Sequence, residues 1–114
     1  ILVAYARSLI ARGDEGDLKS GELAIRDALI AEPNNAYAWQ QLVIAYESQG
    51  RRPLAQVATA ESAFHVGDVQ RAHSFASRAL LELPSGTPEA RRAADIRNAT
   101  DPGLPENKRY WQRR

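Results

Sequence analysis

The chain has 114 residues, 44% hydrophobic and 25% charged, with a formal net charge of +1. That suits one folded domain with a modest core and excludes bulk disorder, and so small a net charge argues against nucleic acid as a partner of the chain as a whole. With no cysteine there is no disulfide framework, thiolate metal site or cysteine nucleophile, and no stretch reaches the ~18–20 apolar residues of a membrane span. Methionine is absent too and the chain opens on Ile1, as expected of a piece of a longer protein.

The composition is rich in alanine and poor in Val, Ile and Thr, which favours helix over strand. Leu2, Tyr5, Ala6, Leu9 and Ile10 recur at helical spacing and predict a first helix with those residues inward, broken at Gly13 and Asp14. A second helix is predicted from about Leu18 to Ala31, with Ile25, Ala28 and Leu29 inward and Pro33 ending it. Asn34 or Asn35 caps a third, whose stripe is Trp39, Leu42, Val43 and Tyr46 and which Gly50 closes. Pro53 opens a fourth, carrying Leu54, Val57, Ala58 and Phe64 and stopping at Gly67. Asp68 caps a fifth, patterned by Val69, Ala72, Ala76, Ala79, Leu80 and Leu83. After the turn at Pro84–Gly86, Thr87 caps a sixth with Pro88 at its first position and Ala90, Ala93, Ala94 and Ile96 as its apolar residues. Proline and glycine beyond Thr100 predict an extended tail over 101–114.

The helices repeat with a period of 34 residues, which maps Gly16 onto Gly50, Gly21 onto Ala55 and Ala28 onto Ser62. A small residue recurs where paired helices must approach, and a glycine at the turn between them. Ala38-Trp39, Leu42, Ala45-Tyr46, Gly50 and Ala55 in the middle repeat resemble the tetratricopeptide repeat, with Val43, Thr59 and Ser62 departing from its pattern. The first repeat fits with about one extra turn around Asp14–Asp17. The fourth and fifth helices form either a whole unit (Ala63, Gly67, Ala72, Ala76, Ala79, Pro84) or the end of one pair and the start of the next, and both can hold at once. The resemblance implies an all-α right-handed superhelix of about six antiparallel helices, three helical hairpins, over residues 1–100.

Ala11-Arg12-Gly13-Asp14, the run from Glu32 to Leu42, and Ala63-Phe64-His65-Val66-Gly67-Asp68 with Arg71-Ala72 and Arg78-Ala79-Leu80 are similar to the C-terminal region of bacterial periplasmic BepA-like zinc metalloproteases. In that family an HExxH peptidase domain precedes a tetratricopeptide module that engages substrates and the outer-membrane protein assembly machinery. The resemblance implies a periplasmic, non-catalytic segment that docks protein partners, substrates or its own peptidase domain, with zinc and catalysis upstream of Ile1. The alternative is a free-standing tetratricopeptide scaffold or assembly factor of envelope or cytochrome biogenesis.

The sequence contains no HExxH, nucleophile elbow or phosphate-binding loop, so no residue is assigned a catalytic role. His65 and His73, with Glu61 or Asp68, fall short of a convincing zinc set, and His73 fits better as a packing residue with one nitrogen hydrogen-bonded. No cofactor is expected in this segment. The partner-binding candidates lie on the face that stacked first helices would present: Tyr37, Gln40, Gln41, Ile44 and Glu47, with Arg7 from the first repeat and Arg78 from the fifth helix. Tyr110 and Trp111, among the basic residues of the last seven, are candidates for anchoring the tail in an apolar groove.

Overall fold

The computed structural model describes residues 2–12, 15–101 and 103. Among them the chain forms six helices and no strand: α1 (Leu2–Arg12), α2 (Glu15–Ala31), α3 (Ala36–Ser48), α4 (Arg52–His65), α5 (Val69–Glu82) and α6 (Pro88–Ala99). Three start at side-chain caps read from the sequence. Asn35 Oδ1 accepts the Ala38 N–H at 3.1 Å, Asp68 Oδ1 the Arg71 N–H at 3.3 Å, and Thr87 Oγ1 the Ala90 N–H at 3.2 Å, each satisfying a donor the helix leaves orphaned.

The turns after α3 and α4 share one geometry. Gly50 and Gly67 adopt φ +71° and +85°, where a side chain would be strained. Around them Arg51 N–H donates to Tyr46 O and Gly50 N–H to Glu47 O, just as Asp68 N–H donates to Ala63 O and Gly67 N–H to Phe64 O. These are paired Schellman closures, which satisfy the last carbonyls and turn the chain back. Helix α2 begins at Glu15 instead of Leu18. Glu15 and Asp17 place negative charge in its first turn, and the two carboxylate oxygens of Asp17 accept from Nε and Nη2 of Arg12 at 2.9 and 2.8 Å.

Helix α1 packs on α2, closely enough that Gly21 carries no side chain against Ile10 and the Ala6 carbonyl. Helix α3 then packs on α2, α1 and α4, whereas α6 packs on α5 and α4. The buried residues form two cores. One joins Ala6, Ile10, Ile25, Leu29, Trp39, Leu42 and Tyr46 to Ala55 and Ala58 of α4; the other joins Val57, Ala60 and Ala63 of α4 to Ala72, Ala76, Ala79, Ala93 and Ile96. Helix α4 is therefore buried on two faces and serves both halves of a chain measuring 45 × 29 × 20 Å.

Two expectations about individual side chains need correction. Tyr5 points to solvent although it shares the apolar spacing of α1, because α2 and α3 lie against the side carrying Ala6, Leu9 and Ile10. Gln41, expected on an exposed face, is buried, and its Oε1 has no hydrogen-bond partner among the described residues. His73 packs between helices as expected, its Nδ1 3.2 Å from both Arg97 O and Thr100 Oγ1.

Candidate functional site

Two of the concave surfaces among the described residues border α3. The first is a trough of about 570 Å³ whose floor is Trp39, Leu42 and Tyr46 of α3, with Leu29 and Ile30 of α2 on one side and Leu54 and Val57 of α4 on the other; Pro88 and Arg92 of α6 close one end. The charged groups at its rim are tied to one another. Glu22 holds Arg26 at 3.0 Å and Arg51 at 3.1 Å, and Arg26 also donates to the Tyr46 hydroxyl. Burial pushes the Tyr46 pKa up, with the adjacent Arg26 opposing it in part. At the α6 end, buried Glu61 accepts from Arg92 at 3.0 Å and pairs with His65 at 3.1 Å, while the Arg92 guanidinium sits 5.2 Å from the Trp39 ring.

The second surface is a groove of about 470 Å³ lined by Val43 and Glu47 of α3, Arg52, Ala55, Gln56 and Thr59 of α4, and Phe75 of α5. Phe75 lies between two arginines of its own helix, with the guanidinium carbons of Arg71 and Arg78 5.1 and 4.9 Å from the ring centroid. Gln56 lines this groove with its Oε1 buried and without a hydrogen-bond partner among the described residues.

The sequence-derived candidates divide between these places. Tyr37, Gln40, Ile44 and Glu47 all lie exposed on α3, and Glu47 reaches the second groove. Arg78 joins them there through Phe75. Arg7 is exposed on α1 and lines neither surface, and buried Gln41 is not on the face at all. Tyr110 and Trp111 lie outside the described residues. Arg52, Arg71 and Phe75 were not among the candidates, although the spacing of 71, 75 and 78 places three side chains along one helix face and could have marked them.

Among the described residues no group of three or more His, Cys, Asp or Glu side chains could hold a metal ion. His65 turns to Glu61 and His73 to the end of α6, so the two histidines serve different partners. No described helix is long and apolar enough to cross a membrane. No protein family, curated protein or solved structure matches the chain.

Proposed function

We propose that this chain is a non-catalytic protein-interaction module of the tetratricopeptide kind. In our reading it forms the C-terminal part of a periplasmic zinc-dependent metalloprotease of the BepA-like type, where it docks protein partners or substrates. One observation carries the interaction reading. Tyr37 and Ile44, two turns apart on α3, leave 44% and 45% of their surface exposed on a helix whose other large apolar side chains are buried or partly buried. Large apolar side chains aligned on one helix face usually turn to a core, and a row left outside marks a surface that another chain covers. The packing of α3 on α1 and of α6 on α4, alongside their sequence neighbours, supports a stack of helical hairpins in which α4 belongs to two successive units.

The test compares capture of protein partners by the chain and by Ile44→Asp, with Leu81→Asp as control, because Leu81 is 86% exposed on another helix. Specific loss in Ile44→Asp, with unchanged helical circular dichroism, supports the docking face. Equal capture by all three sinks it. The protease assignment has its own test: the parent reading frame should encode HExxH upstream, and a parent without it removes that assignment while leaving the module intact.

A further inference from the structure

The described arginines fall into unlike groups. Arg12, Arg26, Arg51 and Arg92 each hold a carboxylate. Arg7, Arg52, Arg71, Arg78, Arg91 and Arg97 hold none among the described residues, and three of these, Arg52, Arg71 and Arg78, border the groove between α3, α4 and α5. Arg52 lines it directly, and Arg71 and Arg78 flank Phe75, which forms its α5 wall. Glu47 is the acidic side chain of the lining and pairs with none of the three among the described residues.

The arrangement has a physical direction. A guanidinium held over an aromatic ring has already lost part of its rotamer freedom, and its N–H edge can still donate to an oxyanion. Two such groups, Arg71 and Arg78, together with Arg52 in the lining, outnumber Glu47 and leave a local positive excess that a negatively charged ligand would neutralise. Between them, Val43, Ala55 and the Phe75 ring offer apolar surface, so a ligand of charge alone would leave part of the groove unused. The net charge of the chain is only +1, which does not suit the broad phosphate backbone of a nucleic acid.

We propose that this groove binds an acidic peptide segment, one that alternates carboxylate side chains with apolar ones. The carboxylates would lie against Arg52, Arg71 and Arg78, and the apolar side chains against Val43, Ala55 and Phe75. This rests on the interaction-module reading and names its partner's chemistry.

The test is fluorescence anisotropy of a short labelled peptide of alternating Glu and Leu, titrated with the full chain at low ionic strength, with a Lys–Leu peptide as control. Saturable binding of the Glu–Leu peptide alone is expected, weakening as salt is raised. Arg71→Gln and Arg78→Gln should each weaken it roughly two- to fivefold and the double variant about tenfold, with the fold unchanged by circular dichroism, since both side chains are exposed. Phe75→Leu keeps an apolar wall but removes the ring that positions both arginines, and it should also weaken binding. No binding of the Glu–Leu peptide, binding indifferent to the arginine variants, or equal binding of the Lys–Leu peptide overturns the proposal. Tighter, arginine-dependent binding of a single-stranded oligonucleotide also overturns it. If Ile44→Asp abolishes partner capture while the Glu–Leu peptide stays unbound, the docking face stands and only the acidic assignment fails.

Discussion

Replacing Trp39 by alanine tests the core of the first half most directly. The indole is 7% exposed, donates its Nε1–H to Pro33 O at 2.9 Å and lies beneath Arg92. Truncating a buried tryptophan costs about 3–5 kcal/mol, and the surroundings of Trp39 place it at the lower end. It floors an open trough, so water can enter the space left behind, and the freed carbonyl belongs to exposed Pro33, where water can replace the indole. The Arg92 contact adds about 0.5–1 kcal/mol. The expected cost is therefore about 3.5–4 kcal/mol, or a fall in Tm of roughly 10–25 °C for a domain of this size. Urea unfolding followed by far-ultraviolet circular dichroism measures it, and an unchanged m-value would confirm that the unfolded state is unaltered. A loss below about 1 kcal/mol would refute the placement of Trp39 as a packing residue of two cooperating helices.

Three further outcomes follow from the packing and the ion pairs. An added Cβ at Gly21 would lie 2.9 Å from Ile10 Cγ1 and 3.0 Å from the Ala6 carbonyl, so Gly21→Ala should destabilise by about 1–3 kcal/mol despite the better helix propensity of alanine; Gly16→Ala, which meets nothing within 4 Å, should gain roughly 0.5 kcal/mol, and paired thermal melts compare them. Arg92→Met leaves Glu61 buried with His65 as its remaining hydrogen-bond partner among the described side chains and should cost about 1–2 kcal/mol, less than a fully buried pair because the Arg92 side chain is 52% exposed; adding Glu61→Gln should recover much of it in a double-mutant cycle, and strict additivity would contradict the coupling. The folded-state pKa of Tyr46 stands above the ordinary value of 10.0, so its contribution to stability is fully present below about pH 10 and is lost as pH rises through the folded-state value; base titration should show a tyrosinate step above pH 10 that accompanies loss of helix and is missing in Tyr46→Phe, whereas ionisation of Tyr46 below pH 10 would refute it.

Helix ends were readable because their causes are local. An Asn, Asp or Thr oxygen reaches an amide three residues away, and a glycine at positive φ closes the turn within five, so Asn35, Asp68, Thr87, Gly50 and Gly67 needed no knowledge of the fold. Inward stripes were readable where a helix had neighbours to cover them, as at Trp39, Leu42 and Tyr46. The same spacing misled at Tyr5, since periodicity states which residues share a side and not whether another helix lies there. Gln41 fails in the opposite sense, for a polar residue beside the apolar stripe can be carried inside with it. The pairing of Glu61 with Arg92 and the flanking of Phe75 by arginines depend on side-chain placement in the folded chain, and the first also on which helices meet, so they were not anticipated.

Sharing α4 between two cores has a kinetic and thermodynamic consequence. Neither half can melt alone without stripping one face of a helix that the other half still holds, through Ala55 and Ala58 on one side or Val57, Ala60 and Ala63 on the other. Stacks of separate hairpins can fray one unit at a time, but here a common wall couples the two halves into a single cooperative transition. The amides of α4 should be the slowest to exchange with deuterium and those of α1 among the fastest.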